Sequence, residues 1–293
     1  LEALAEGRAA ARRQCVLLTE CANIPHARRG MRQAETEQRI RVAEAVARAA
    51  RDADGFAIWS FNDYATMRKK RYLRYSGLFD GWREPKEAAH WLAAHGNERP
   101  VLHAIADWSL EAPDDKRKVR LTTNCTDLHR LTVAAWPPPH DHAGRGGNVT
   151  SERLHPTKLE DCYLECILRF DGQPLRLQGQ WRDQQVVTCL YPWGAAAKVR
   201  LSVEHYERRV EEGEGLAVVA LHVLDKQGYA VSNYQGEAEV RAGGKIRAAL
   251  IGGRTVPVHN GCARIFIACP TWHVETLHLH VDLPGVGSGT LTV

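Results

Sequence analysis

Glu20 stands where a short apolar run, Val16-Leu17-Leu18-Thr19, gives way to a loop. A carboxylate at such a strand end can act as a nucleophile or as a general acid/base, its role set by surrounding charge and solvent. It can equally cap the following turn or pair with an arginine such as Arg28. Trp59 closes a second apolar run, Phe56-Ala57-Ile58, in the same manner. An indole there suits a carbohydrate pocket, because its face stacks against the C–H face of a sugar ring. A tryptophan packed in the core is the other reading. Asn62 and Asp63 lie just beyond Trp59, and Asn23 lies in the loop after Glu20. All three are candidates to hydrogen-bond sugar hydroxyls, although Asn62 and Asp63 fit an Asx-turn as well.

The elements that must position these residues alternate helix and strand over the first ~95 residues, a pattern that argues for βα units and a parallel sheet. Residues 1–13 are helical in propensity. The run 16–19 is continuous and apolar, as expected of a strand buried on both faces. A loop with Pro25 and Gly30 leads to a helix within 31–53, whose core-facing stripe is predicted as Ile40, Ala43, Val46, Ala47 and Ala50. A basic loop follows at 67–75, and then a last helix. Its start is marked by Pro85 and its end by Gly96.

After Gly96 the pattern changes to short alternating runs between turn residues, the signature of antiparallel sandwiches. Such runs occur at 118–123, 131–133, 163–168 and 199–203, and then at 216–223, 247–251, 263–268 and 276–281. The stretch 137–147, rich in proline and glycine, reads as a long loop. Three domains are expected, at 1–96, 97–198 and 199–293.

Composition narrows the function classes. The chain has 293 residues, 44% of them hydrophobic and 25% charged, within the ordinary range for a globular protein. A net charge of +4 from scattered arginines, with no basic stripe among aromatics, argues against a nucleic-acid partner. No apolar run approaches the ~18 residues of a membrane span. The first 15 residues lack the apolar core of a signal peptide. The sequence opens on Leu1 rather than Met, which leaves room for an upstream segment and leaves the compartment, cytoplasmic or secreted, open. The eight cysteines have no zinc-like spacing and are expected to be free thiols; no cofactor and no metal ligand is assigned, and metal binding stays open. Asn124-Cys-Thr126 and Asn148-Val-Thr150 are glycosylation sequons, tripeptides that also arise by chance.

Three segments carry a resemblance. VLLTECA (16–22), GFAIWSFNDYA (55–65) and SGLFDGWREPKEAAHWL (76–92) together resemble the closing part of the catalytic domain of glycoside hydrolase family 2. That family includes β-galactosidases, β-glucuronidases and β-mannosidases. The resemblance implies a multi-domain α/β plus all-β chain: the last two βα units of a (β/α)8 TIM barrel followed by two immunoglobulin-like β-sandwiches. It implies that Glu20 is the catalytic nucleophile and Trp59 the tryptophan of the sugar pocket. Gly77-Leu78-Phe79-Asp80, Arg83, Pro85 and Lys86 then mark the lead-in to the last helix. VRLTTNCTDLHRLTV (119–133) and residues 215–246 resemble the accessory modules of β-galactosidase-like members.

The sequence also departs from that pattern. Cys21-Ala22 follows Glu20 where Tyr-Gly or Tyr-Ala is usual, and Arg74-Tyr75-Ser76 replaces the Asn-x-Lys of glucuronidases, which argues against a uronic-acid substrate. The Asn-Glu pair that carries the acid/base glutamate has no counterpart, and neither have the first six barrel strands. The expectation is a fragment of a retaining β-glycosidase, of β-galactosidase type and inactive alone. Its partners would be a β-glycoside or oligosaccharide and either the N-terminal part of the enzyme or a second copy. The competing reading is a non-catalytic β-sandwich protein that binds glycan or an interaction partner.

Overall fold

The computed structural model describes residues 15–21, 26–29, 32–65, 73–112, 115–133, 149–154, 158–209, 214–244, 249–269 and 277–292. Expectations for residues 1–13, Asn23, Pro25, Gly30, most of the basic loop, 137–147 and the Asn148 sequon lie outside them. Within the described residues the protein is mostly β-strand, with two helices.

The N-terminal part holds two parallel strands, β1 (Leu17–Cys21) and β2 (Gly55–Ile58), connected through helix α1 (Arg32–Asp52). Gly55 lies opposite Leu17, and a side chain there would collide with it. A short antiparallel pair, β3 (Tyr64–Ala65) and β4 (Leu73–Arg74), precedes helix α2 (Glu87–Gly96).

Two expectations shift here. The buried face of α1 consists of Glu35, Gln38, Arg39, Val42, Val46 and Ala49; of the expected stripe Val46 is buried and Ala43 packs beside it, whereas Ile40, Ala47 and Ala50 are exposed. Hydrophobic spacing misplaces the stripe because three of the inward residues are polar. The strands also fail to be buried on both faces: Leu17 is 65% and Phe56 39% exposed. Helix α1 packs against β1 and β2, but the described residues supply no cover for Leu17 and Phe56.

Helix α2 starts later than the proline suggested. Pro85 precedes it and pairs with Phe79, while Gly96 is its last residue and Asn97 takes the left-handed cap position at φ 53°. Lys86, at the N-cap, contributes no side-chain cap. The Glu87 N–H is instead capped by the Glu35 carboxylate of α1, at 2.9 Å.

The middle of the chain is two antiparallel four-stranded sheets. One has the order β5 (Leu102–Ile105), β6 (Lys116–Thr123), β10 (Tyr163–Arg169), β9 (Lys158–Glu160). The other has the order β12 (Gln184–Leu190), β11 (Leu175–Trp181), β7 (Thr126–Val133), β8 (Val149–Arg153). Alternation along β11 turns Leu175 and Leu177 inward, into the same core as Val119, Leu121, Leu164 and Cys166 of the first sheet.

The last part contains β13 (Lys198–Arg209), β14 (Glu214–Leu224), β15 (Gln235–Gly244), β16 (Ala249–Ile251), β17 (Thr255–His259), β18 (Cys262–Cys269), β19 (Leu277–Leu283) and β20 (Gly287–Thr292). They form one continuous path, β13-β14-β18-β17-β15-β19-β20, with β16 on β18. The two halves of this path meet through one pair, His259 opposite Cys262, at a tight turn where Asn260 and Gly261 have positive φ. At the far ends the path rolls over, so that Gly289 of β20 approaches Val199 of β13. Asp225 fixes the turn after β14 by accepting the N–H groups of Tyr229 and Gly194.

Among the contacts between the helical part and the middle sheets are two polar joints, at Glu87 and at Asn97. At one, Glu87 is buried between Arg39, which donates to it at 3.1 Å, and Arg120 of β6, with Thr36 also donating to it. Arg39 lies flat over Tyr163 of β10, its guanidinium carbon 3.7 Å from the ring centre. At the other joint, Asn97 accepts from Trp181 Nε1 at 2.9 Å. Asn124 accepts from the Val101 N–H and donates to Asn97 Oδ1 and the Arg99 carbonyl. The amide of the first sequon is thus committed to the fold. Cys15, Cys125, Cys162, Cys166, Cys189 and Cys262 are free thiols. No described helix is long and apolar enough to cross a membrane.

His90 of α2 and His103 of β5 stack with ring centres 3.6 Å apart. Burial holds both imidazoles neutral, lowering His90 from 6.5 to about 4 and His103 to about 3, with Arg99 adding to the effect on His90 and His90 to that on His103. Because the folded values lie below the unfolded one, the neutral pair is fully stabilising above pH 6.5. That stability is lost as acid protonates the unfolded chain. Thermal unfolding followed from pH 7 to pH 4 is expected to show a steep fall below pH 6.5. The double substitution His90→Phe, His103→Phe is expected to flatten it by on the order of 2 kcal/mol.

Candidate functional site

Parallel pairing places the C-terminal ends of β1 and β2 at one edge. Leu18 lies opposite Phe56 and Cys21 opposite Ile58, with an irregularity between them that accommodates Thr19 and Glu20. Glu20 is therefore at the end of its strand and Trp59 one residue past the end of the neighbouring one. Glu20 is exposed, and its carboxylate has no hydrogen bond or ion pair among the described residues. The alternative pairing with Arg28 is not formed: the Arg28 guanidinium lies over the Tyr75 ring, 4.5 Å from its centre.

Trp59 is 50% exposed and so is not a core residue. Its Nε1 donates to Tyr64 Oη at 3.1 Å, and the two rings meet edge to face. That bond fixes the plane of the indole while leaving much of its surface open. The Trp59–Ser60 peptide bond is cis. Phe61, 59% exposed, stacks on Phe79 at 4.5 Å and extends the aromatic rim.

The residues after Trp59 are held from beneath. Leu78 N–H donates to Ser60 O, Phe79 N–H to Phe61 O, and Asp63 N–H back to Phe79 O, so segment 60–63 is laced to 78–79. This requires close approach at Gly77, where a Cβ would fall 2.1 Å from the Asn62 carbonyl carbon. Asn62 Nδ2 donates to the Asp63 carbonyl at 2.7 Å, so part of its hydrogen-bonding capacity is spent locally.

Asp63 is not available as a sugar contact. It is buried, and its Oδ1 accepts from Lys86 Nζ at 2.7 Å and from the Gly77 N–H at 2.9 Å. Lys86 also donates to the carbonyls of Ala27 at 2.6 Å and Tyr75 at 3.1 Å. Three acceptors match the three N–H bonds of an ammonium, so Lys86 is a cation whose hydrogen bonds are complete. Burial pushes the Lys86 pKa down and the Asp63 pKa up, and each partner's charge counters part of that shift. Proximity in sequence placed Asp63 with the candidate sugar contacts. Its role is decided by Lys86, 23 residues away, which no local pattern reveals.

Asp80 organises the next turn. Its Oδ1 accepts from the N–H groups of Trp82 and Glu84, and its Oδ2 accepts from Arg29 Nε at 2.8 Å. Arg83 has φ 64° within this turn. The lead-in motif is therefore a compact knot under the Trp59 segment. Among the described residues, no group of three or more His, Cys, Asp or Glu side chains comes together as a metal site.

No family model matches the chain, and no curated protein sequence does. Solved structures do resemble it in fold. A β-glycosidase from Bacteroides vulgatus matches 85% of the chain at a TM-score of 0.64 and 15% identity. A glycosyl hydrolase family 2 member from Bacteroides cellulosilyticus DSM 14838 matches 100% of it at 0.68 and 12%. A β-glucuronidase from glycoside hydrolase family 2 matches 94% of it at 0.63 and 16%. The chain spans 32%, 39% and 31% of these three proteins, respectively. At such identities the likeness is one of fold.

Lys86→Met is expected to destabilise the protein by about 3–5 kcal/mol, because it strands the buried Asp63 carboxylate. Adding Asp63→Leu is expected to restore part of the loss, as urea unfolding of the single and double variants will show.

Proposed function

We propose that this chain is the C-terminal part of a retaining β-glycosidase of the glycoside hydrolase family 2 type. Residues 1–96 form the last two βα units of its (β/α)8 barrel, and 97–198 and 199–293 form two immunoglobulin-like sandwiches. The observation that carries the reading is the exposed carboxylate of Glu20, with no hydrogen bond or ion pair among the described residues, beside the half-exposed Trp59 at the C-terminal edge of two parallel strands. In parallel barrels that edge carries the chemistry. The fold likeness to β-glycosidase structures supports the same reading.

In this scheme Glu20 attacks the anomeric carbon and forms the glycosyl-enzyme, while Trp59 stacks on the sugar. Asn62 and Asn23 remain candidates for hydroxyl contacts. Retention requires a second carboxyl group about 5 Å from the nucleophile to protonate the leaving oxygen and then activate water. Asp63, the first carboxylate after Trp59, cannot serve, because Lys86 holds it beneath the site. On this reading the acid/base glutamate, whose Asn-Glu pair has no counterpart in the sequence, comes from outside this chain, and the chain alone is inactive or nearly so. On this reading the remainder of the barrel, or a second copy, packs on Leu17 and Phe56, which are exposed among the described residues. A neutral β-galactoside is favoured over a uronate, since Arg74-Tyr75-Ser76 provides no Asn-x-Lys signature.

The purified chain is expected not to hydrolyse an aryl β-galactoside, whereas a complex completed with the upstream barrel segment is expected to do so. Glu20→Gln is expected to reduce the activity of that complex by roughly 10³-fold or more. Hydrolysis by the isolated chain that Glu20→Gln abolishes would overturn the fragment reading.

A further inference from the structure

Strand β18 belongs to the last β unit, yet it is buried on both faces. Ala263, Ile265 and Ile267 point into that unit's own core. The alternate residues Cys262, Arg264 and Phe266 meet the N-terminal part instead. Cys262 Sγ accepts from Arg29 Nη2 at 3.0 Å, Arg264 Nη2 reaches Glu84 Oε1 at 3.2 Å, and the Phe266 ring lies 5.8 Å from that of Trp82. Arg264 is 5% exposed and is steadied on its other side by Glu204. β18 pairs with β14 along eight residues, from Gly215 opposite Cys269 to His222 opposite Cys262, so this platform is an interior strand of its sheet.

The contacts fall on the turn that Asp80 organises. From that turn the hydrogen bonds of Phe79 and Leu78 run directly to Phe61 and Ser60, next to Trp59. We propose that Arg264 is a positioning residue: through Glu84 and the 80–84 turn, strand β18 of the last β unit sets the place of the segment that carries the sugar-stacking Trp59. The proposal rests on the glycosidase reading of Trp59 and adds that the C-terminal unit takes part in building the site.

Hydrogen exchange in the purified chain tests the mechanical part. Arg264→Met is expected to raise exchange across 78–84 and 59–65 by about 10-fold, with the core of β14 and β19 unchanged. Arg264→Lys, which keeps a cation facing Glu84, is expected to restore most of the protection. Phe266→Leu, a mild change at the Trp82 contact, supplies the same comparison if Arg264→Met fails to fold. Faster exchange confined to 78–84, or spread equally through β14 and β19, overturns the proposal. In the completed enzyme, Arg264→Met is expected to raise KM several-fold more than it lowers kcat, and an unchanged KM likewise overturns it. If the parent complex hydrolyses no glycoside, the glycosidase reading fails, and the exchange data alone decide whether β18 holds the Trp59 segment.

Discussion

Everything at the candidate site rests on one buried ammonium. Lys86 draws together the carbonyl of Ala27, from the loop after β1, the carboxylate of Asp63, from the segment after β2, and the carbonyl of Tyr75 before the lead-in turn. These segments are far apart in sequence and share little apolar surface. A buried charge tolerates only the arrangement that satisfies all of its hydrogen bonds, because each unmet donor carries a full desolvation penalty. Hydrophobic contacts among Val42, Val46, Leu78 and Trp91 supply cohesion beneath this point. The lysine supplies the geometry.

Polar burial of this kind recurs wherever the parts of the chain meet. Glu87 is held by Arg39 and Arg120 between the helices and the middle sheets, and Arg264 by Glu84 and Glu204 between the lead-in turn and the last sheet. Apolar seams tolerate sliding, whereas an ion pair made by a buried group, such as Glu87 or Arg264, accepts few alternatives. The joints are therefore specified in orientation as well as held together.

This division explains what could be read from the sequence. Period-two alternation located most strands after residue 97, since inward residues such as Leu175 and Leu177 of the sheets really are apolar. Apolar strand ends located Glu20 and Trp59 on one edge. Hydrophobic spacing failed where inward residues are polar: Arg39 and Gln38 displaced the predicted stripe of α1, and Asp63 looked like a surface hydrogen-bonder. It also failed at β1, where the apolar run suggested burial on both faces but Leu17 is exposed among the described residues. Proline and glycine marked the approach to α2 but not its ends, because Glu35 of another helix caps its start and Asn97, rather than Gly96, takes the left-handed position.

The bare parallel pair has a kinetic side as well. The sheets downstream close largely through neighbouring strands, such as β11 with β12 and β19 with β20, around a shared apolar core. β1 and β2 are joined across α1, some 38 residues apart in register, and none of the described residues forms a second layer over Leu17 and Phe56. Closing such a crossover is slow and gains little until a neighbour arrives. The chain should thus behave as two cooperative units of unequal persistence. The β part would form early and stay closed, while the β1–β2 edge would open transiently and present the first place for a protease to cut.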